Sequence, residues 1–316
     1  MTRQDLLGRL ARLPLVLLFV TALTFVLLRL LPGDAAVNVA GRSANAEQIE
    51  AVRSELRLDE SIPTQFAVWV SNLVRGDLGD SFFFNSSVTS LIGARLGTSA
   101  MLMAYSMIVA LVIAIPLGLR AGSREASRFD RSASTAVTLV QAIPNYVLGI
   151  VFVAIFAVRL GWLPALYSEH SIFEDPVEHL RSVALPVLTL AGPQLAVYMR
   201  LLRADVASTM RSDFVTVARS KGITERRLLV RHVLPSSMFS LITIAGVNIG
   251  ALIGATVIVE RIFSIPGMGS LTVDAIVSRD FQTVQGAVIV FALVFVVATL
   301  AIDVIYGVFD PRVRHG

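Results

Sequence analysis

Side chains that commonly perform enzyme chemistry are few in this chain, and their spacing matches no catalytic motif. The single lysine, Lys221, lies between Ser220 and Gly222 and follows no glycine-rich turn. It cannot belong to a Walker A loop, in which Gly-Lys-Ser/Thr binds the phosphates of ATP. The four histidines are dispersed without a His-Glu-x-x-His motif, and there are no cysteines. We therefore predict no catalytic residue, metal site or cofactor site in this chain.

Uncharged polar side chains within long apolar stretches are the better candidates for binding a solute. These are Gln141, Asn145, Gln194, Tyr198 and Asn248. Pro144 and Pro193 stand beside two of them, and a proline both bends a helix and frees a backbone carbonyl. Inside a membrane this is tolerated only where protein or a water-filled cavity satisfies the backbone. We expect these residues to line a central pathway. The alternative, that they join neighbouring helices by hydrogen bonds, stays open.

Ionised side chains inside the apolar stretches are rarer. Asp303 lies in the last of them, and a buried acid in a membrane commonly marks a functional site. Its closeness to the end of that stretch favours capping or pairing near the membrane surface. The scarcity of such charges argues against coupling to protons or sodium.

The composition identifies the elements that must position these residues. Of the 316 residues, 55% are hydrophobic and 16% are charged, whereas soluble domains average about 25% charged residues. This excludes a soluble enzyme or a disordered chain and predicts an all-α membrane protein. Six stretches could each cross about 30 Å of hydrocarbon as a helix. They are 12–31, 98–119, 134–158, 184–202, 236–259 and 285–308. The first could be a signal peptide, but its apolar core exceeds the usual length of about 7–15 residues.

The basic residues predict the orientation of these six spans. If the helices alternate, four basic segments share one face of the membrane, which we call the Arg-rich side. The opposite side is acidic between the third and fourth spans. By the positive-inside rule, both termini and the Arg-rich side are cytoplasmic. The basic residues are Arg3, Arg9 and Arg12; Arg120, Arg124, Arg128 and Arg131; Arg203, Arg211, Arg219, Lys221, Arg226, Arg227 and Arg231; and Arg312 and Arg314.

About 60 residues between the first two spans, 33–97, are too polar to lie in lipid and should form a small, partly helical external segment. Asn45 and Gln48 have the spacing of a capping box that opens a helix. A second helix is expected to begin at Ser61 and to stop at Gly76, where turn residues follow.

The segment after the fourth span predicts a short helix on the Arg-rich side. Ser212 or Asp213 can open it, and Gly222 can close it in the left-handed conformation. Phe214, Val217 and Ala218 fall three and four positions apart, so they should form one exposed apolar face. Such a face could dock in a groove on a partner protein or lie on anionic lipid. A second helix should start at Thr224 and run towards Leu234-Pro235 at the fifth span.

These residues resemble a known family. Thr216-Val217-Ala218 followed by Gly222 and Leu234-Pro235 is similar to the "EAA" loop in permease subunits of binding-protein-dependent ABC importers. Here Thr216 and Val217 replace the usual Glu and first Ala. Ala218-Arg219-Ser220-Lys221-Gly222 looks most like the peptide and nickel branch. Further similar motifs are Leu31-Pro32-Gly33-Asp34, Gly76-Asp77-Leu78-Gly79-Asp80-Ser81, Gly161-Trp162-Leu163-Pro164, Phe263-Ser264-Ile265-Pro266-Gly267-Met268-Gly269 and Asp310-Pro311-Arg312.

The resemblance implies the type I importer permease fold and a helix that couples the membrane domain to a separate ATPase. The implied coupling residues are Asp213, Phe214, Val217, Ala218, Arg219, Lys221, Gly222, Leu234 and Pro235. The implied partners are a second homologous permease, two ATPase subunits that carry ATP and Mg²⁺, and an external solute-binding protein. A long segment after the first span resembles the first, or B-type, permease of dipeptide and oligopeptide systems.

On this interpretation the chain is a non-catalytic permease subunit in a bacterial inner membrane. It would divide into a terminus with helix 1 (1–32), an external segment (33–94), a permease core (95–309) with a coupling loop (203–235), and a tail (310–316). The expected solute is a peptide or peptide-like molecule. The same machinery carrying nickel, glutathione or haem, and a carrier or channel that works without ATP, are the alternatives.

Overall fold

The structure, a computed structural model, describes residues 3–30, 35–40, 44–55, 57–81 and 83–309. This part of the chain is helical apart from its connections and one short hairpin, so the predicted all-α membrane protein is confirmed. The helices are α1 (Arg3–Leu30), α2 (Ala35–Ala40), α3 (Ala46–Glu55), α4 (Ile62–Val74), α5 (Val88–Ser123), α6 (Arg128–Ala142), α7 (Asn145–Phe152), α8 (Pro176–Met210), α9 (Asp213–Ser220), α10 (Glu225–Leu228), α11 (Leu234–Ile262), α12 (Met268–Val277) and α13 (Phe281–Phe309). Two π-helices, π1 (Val153–Arg159) and π2 (Leu229–Val233), and two strands, β1 (Asp80–Ser81) and β2 (Ser86–Ser87), complete it.

Helices occupy the positions of all six predicted spans, but not all of them are long and apolar enough to cross a membrane. Among the described residues, four helices are long and apolar enough to cross a membrane: Val88–Ser123, Pro176–Met210, Glu225–Ile262 and Phe281–Ala301. A bent pair of helices, Arg128–Ala142 with Asn145–Arg159, can form another span, and Pro14–Leu30 is a shorter apolar helix. The predicted tail 310–316, the motif Leu31-Pro32-Gly33-Asp34 and the side chain of Asp303 lie outside what the structure describes.

The third span is bent at Pro144, as the proline predicts, and so sharply that it forms two separate helices. Its two halves are bent by 102°, because Pro144 has no N–H to continue the helix and forces the preceding residue out of the helical conformation. Ile143 is accordingly extended, at φ −89° and ψ 125°, and α7 restarts at Asn145.

The fourth span is more regular than the sequence suggests. Pro186 and Pro193 lie inside α8 without interrupting it. About 67% of its most apolar stretch is buried, and it packs against α6, α7 and α11. Neighbouring helices can thus compensate for the hydrogen bonds that the prolines remove. The core around α8 includes Tyr198, Met199 and Leu202, with Leu241 from α11.

The chain divides into two compact units. One is formed by the described residues up to Thr98 together with Pro266–Val297, and the other by Ser99–Ile265 with the chain from Ala298. The first unit contains the predicted external segment. Its capping box is confirmed: the Asn45 N–H donates to Gln48 Oε1 at 2.9 Å, and the Gln48 N–H donates to Asn45 Oδ1 at 2.8 Å. The predicted second helix is α4, with Ser61 at the N-cap position but without a side-chain capping hydrogen bond, and Gly76 follows it at φ +80°.

The same unit contains a feature that the sequence analysis missed, a hairpin bound to the start of α13. Asp280 caps α13 by accepting hydrogen bonds from the Thr283 N–H and, at 2.7 Å, from its hydroxyl. The Ser81 hydroxyl of β1 donates to the same carboxylate. The Phe84 N–H in turn donates to the Ser81 oxygen at 2.9 Å. A buried polar network therefore fixes the hairpin, although its strands are two residues long.

In the second unit, α5 lies directly on the backbone of α8. A Cβ atom added to Gly122 would stand 2.5 Å from the Arg203 carbonyl oxygen and 2.8 Å from Val206 Cβ. Atoms that close must move apart, so only glycine permits this approach.

We predict that Gly122→Ala destabilises the protein while Gly97→Ala, in the same helix, does not. Gly97 has nothing within 4 Å of its added Cβ atom, so alanine there should gain about 0.5–1 kcal/mol of helix propensity. Overpacking at Gly122 should cost about 1–3 kcal/mol. Thermal unfolding of the chain in detergent measures both variants. Equal melting temperatures for the two would contradict the close approach of α5 to α8.

Candidate functional site

The predicted short helix on the Arg-rich side is α9, Asp213–Ser220. Only Arg211 and Ser212 separate it from the end of α8. The Ser212 N–H donates to the Thr209 carbonyl at 3.0 Å, so the chain turns immediately. Ser212 occupies the predicted N-cap position with an extended backbone, but its side chain makes no capping hydrogen bond.

The predicted left-handed glycine at the end of α9 is confirmed. Gly222 has φ +73°. Its N–H donates to the Arg219 carbonyl at 2.9 Å, and the Ile223 N–H donates to the Ala218 carbonyl at 3.3 Å. This pair of hydrogen bonds is the Schellman motif, which satisfies the last carbonyls of a helix and reverses the chain. Ile223 packs against the apolar cluster that contains Ala218. An apolar contact between these two positions frequently accompanies the Schellman motif.

The apolar face of α9 differs from the predicted one by a single member. Phe214 and Val217 are exposed, at 45% and 51% of their surface. Ala218, predicted to share this face, is instead 9% exposed and packs with the fully buried Val215 in the core around α8. The helix therefore has two apolar faces, because positions 215 and 218 repeat at helical spacing just as 214 and 217 do. One face anchors α9 and the other is open.

The charged and flanking residues of the site are mostly exposed. Arg219 is exposed and donates to Glu225 Oε1 at 2.8 Å within the chain. Asp213 and Lys221 are exposed. Leu234 is half-buried and Pro235 exposed at the start of α11.

The second predicted helix begins as expected after Thr224 but does not stop before the fifth span. α10, π2 and α11 form one apolar helical segment, Glu225–Ile262. Pro235 lies in the first turn of α11, where a missing N–H is tolerated. The Thr209 and Ser237 hydroxyls are 3.2 Å apart, which links the end of α8 to the start of α11.

The five polar residues predicted within the spans occupy different environments. Gln141 is exposed at the end of α6, and Asn145 is half-buried at the start of α7. Gln194 and Tyr198 are buried in α8. Tyr198 and Asn248 approach each other from α8 and α11, but not in hydrogen-bonding geometry. The buried atoms left without a hydrogen-bond partner include Gln194 Oε1, Tyr198 Oη and Asn248 Nδ2.

Sequence reasoning used Arg203 only for the orientation and gave no role to Asp130, whereas the structure joins the two in a partly buried ion pair. Their separation of 73 residues leaves no local signal. Within the described residues, no group of three or more His, Asp or Glu side chains could hold a metal ion.

Comparison with known proteins places this architecture in a family. Residues 114–315, which include α9 and five of the six apolar segments in whole or in part, match the binding-protein-dependent transport system inner membrane component. Residues 2–103 match the N-terminal region of such membrane components. The chain belongs to this family.

Relatives that align over nearly the whole chain support the same family assignment. A protein of Brucella abortus named as a peptide transport system permease is 35% identical over 310 residues, 98% of either chain. The glutathione transport system permease of Escherichia coli is 33% identical over 299 residues, 95% of either chain. The predicted resemblance to ABC importer permeases is therefore confirmed, and the chain is a multi-pass permease subunit of the bacterial inner membrane.

The fold of the permease is also found in a solved structure. The methionine ABC transporter MetNI in an inward-facing form matches with a TM-score of 0.58 and 14% sequence identity. The match covers 70% of this chain and 96% of the other. At this identity the likeness concerns the fold alone, and it confirms the predicted type I importer permease fold.

Proposed function

We propose that this permease is one of two membrane subunits of an ATP-driven importer and that α9 is its coupling helix. The observation that carries the proposal is the exposed pair Phe214 and Val217 on a helix anchored from behind by Val215 and Ala218. Exposed apolar side chains on an amphipathic helix suit a hydrophobic groove on a partner. A helix whose opposite face is buried can transmit force instead of yielding to it.

The absence of a nucleotide-binding motif in the sequence supports a division of labour. ATP and Mg²⁺ would bind to two separate ATPase subunits, and α9 would receive their motion mechanically. Gly222 and the Schellman turn hold the end of α9 in one conformation. Asp213 and Lys221, both exposed, would face charges on the ATPase, and Leu234 and Pro235 would fix the direction of the segment that returns to the membrane.

The orientation follows from the same assignment. The ATPase subunits would work in the cytoplasm. If α9 binds them, then α9 and the rest of the Arg-rich side would be cytoplasmic, and both termini would lie on that side too. This agrees with the positive-inside rule. By the alternation of the spans along the chain, segment 33–97 would then be external, where a solute-binding protein would deliver the solute. A second permease, homologous to this one, would complete the pathway.

We infer that the solute is a peptide or a peptide-like molecule. The support comes from relatives over nearly the whole chain that are named as peptide permeases. Glutathione, itself a modified tripeptide, is the second candidate because two other relatives are named for it.

The solute pathway would pass the polar residues of α7, α8 and α11. Buried polar atoms without partners cost free energy, typically about 1–3 kcal/mol each. Gln194, Tyr198 and Asn248 all have such atoms. Water or a passing solute could satisfy them, and Gln141 and Asn145 would extend the polar lining.

We predict that Asn145→Cys reacts with a membrane-impermeant thiol reagent during transport, while Met199→Cys does not. The chain has no cysteine of its own, so labelling reports one site. Met199 is fully buried in the apolar core, which makes it the control. Labelling is measured by mass shift in the assembled transporter, with and without ATP. If Asn145→Cys and Gln194→Cys are protected from the reagent under all conditions, these residues do not line a pathway. They would then only join neighbouring helices by hydrogen bonds.

The function itself is tested by reconstituting the permease with its partner subunits in liposomes. Radiolabelled dipeptide and glutathione would be offered with the binding protein, with ATP or a non-hydrolysable analogue. We expect uptake only with ATP and the binding protein. Uptake that is independent of both would instead assign the chain to carriers or channels.

A further inference from the structure

A partly buried ion pair joins two membrane helices, α6 and α8, in the last turns of α8 before α9. Asp130 lies in the first turn of α6, and only 3% of its side chain is exposed. Arg203, on α8, donates through Nε to Asp130 Oδ1 and through Nη2 to Oδ2, the latter at 2.7 Å. The Ala126 N–H also donates to Oδ2 at 2.9 Å, and the Ser134 hydroxyl donates to Oδ1 at 3.3 Å. Both carboxylate oxygens are therefore fully engaged.

The same turn of α8 is fixed from another side by α5. The Arg203 carbonyl oxygen is the atom closest to an added Cβ at Gly122. One turn earlier, the Met199 carbonyl oxygen would lie 3.1 Å from a Cβ at Gly118. Small residues spaced four apart let helices approach backbone to backbone in a membrane. Arg203 thus sits where α5, α6 and α8 meet.

The connection from this junction to α9 is short and packed. α8 continues from Arg203 for seven more residues to Met210, and α9 begins at Asp213. Val206, one turn after Arg203, belongs to the apolar cluster that also contains Val215 and Ala218 of α9. There is no loose linker in which a displacement of α9 could be absorbed before it reaches the junction.

We propose that the Asp130–Arg203 ion pair is a positioning contact that makes α5, α6 and α8 follow α9 as one body. This rests on the proposed coupling role of α9. A push on α9 moves α8 first, because only two residues separate the helices and both belong to one apolar cluster. The bidentate pair then transfers that motion to α6, the first half of the bent third span, while the glycine contacts transfer it to α5.

An ion pair suits this task better than an apolar contact would. Two parallel hydrogen bonds between a guanidinium and a carboxylate fix both distance and rotation. Apolar side chains of the same volume could stabilise the fold equally well, but they can slide. The ion pair therefore fixes the relative position of the two helices more than it stabilises the fold. The two effects can be measured separately.

The test compares transport with ATP hydrolysis in the complete reconstituted transporter. The readout is the number of dipeptide molecules imported per ATP hydrolysed, in complexes shown by gel filtration to retain all subunits. We expect Asp130→Asn to lower this ratio by about five-fold or more, within the usual range of coupling effects. ATP hydrolysis itself should persist.

A double variant separates positioning from stability. Asp130→Asn leaves Arg203 as a half-buried charge without its partner, which destabilises the protein. Asp130→Asn with Arg203→Gln removes both charges, so we expect the melting temperature to recover while the import ratio stays low. Recovery of both quantities would overturn the proposal, as would an unchanged ratio in Asp130→Asn alone.

The control is the exposed pair Glu125–Arg211, which also joins the α5–α6 connection to the end of α8. Exposed ion pairs contribute little to stability, and Glu125→Gln should leave the import ratio unchanged.

If the Asp130→Asn complex fails to assemble, the Arg203→Lys variant replaces it in the test, because lysine keeps the charge but loses the bidentate geometry. A wild-type ratio in Arg203→Lys would then contradict the proposal. Absence of ATP-driven import by the wild-type complex would instead reject the proposed function.

Discussion

Replacing Gly222 by valine should abolish transport while leaving membrane insertion intact. Gly222 has φ +73°, a conformation that costs other L-residues roughly 1–2 kcal/mol and β-branched residues more. Valine would therefore break the Schellman turn and change the direction in which the chain leaves α9. The measurements are ATP-dependent uptake by the reconstituted complex and the amount of the variant in the membrane.

Asparagine at the same position is the matched control. An added Cβ at Gly222 meets nothing within 4 Å, so side-chain volume is not the obstacle. Asparagine tolerates the left-handed conformation far better than valine does. Gly222→Asn should keep at least half of wild-type uptake. Equal uptake by the valine and asparagine variants would show that the turn does not matter for transport.

Truncating Phe214 or Val217 to alanine should weaken binding of the ATPase subunits by about ten-fold or more, because buried anchors commonly contribute 2 kcal/mol or more at an interface. About half of each side chain is exposed in the isolated chain. The melting temperature of the folded permease should therefore change much less than the affinity does. Binding can be followed by titrating labelled ATPase subunits onto the permease in nanodiscs.

Val230→Ala provides the comparison. Val230 has a similar exposure, 52%, and lies on the same Arg-rich side in π2, outside α9. Its truncation should leave the affinity within about two-fold, as most surface truncations do. An equal loss in all three variants would mean that general apolar contact, and not the face of α9, holds the ATPase.

The sequence predicts those features whose cause is local. Apolar length identifies the spans, Asn45 and Gln48 pair within one turn, and Gly222 closes α9 through its own backbone. Each depends on residues a few positions apart, so periodicity and capping rules suffice.

Features that depend on distant neighbours were missed or wrong. The prediction that Ala218 shares the open face of α9 is wrong, because spacing alone cannot tell which of the two apolar faces meets the core. The continuity of α8 through Pro186 and Pro193 depends on the helices packed around it. Ile143-Pro144 lies in a similar apolar setting yet breaks the third span.

The polar pairings illustrate the same limit most clearly. Asp130 and Arg203 are 73 residues apart, and Ser81 and Asp280 are 199 apart. Neither pair follows from a motif, because each is created by helices and hairpins that meet only in the folded protein.

The central claim is that this permease receives ATP-driven motion from separate subunits through α9. The most direct test is affinity purification of the tagged chain from its native membrane, with identification of the bound proteins by mass spectrometry. We predict recovery of two ATPase subunits and a second six-span permease, and loss of the ATPases when Phe214 and Val217 are both alanine. Recovery of the chain alone, in a detergent that keeps a known importer intact, would contradict the account.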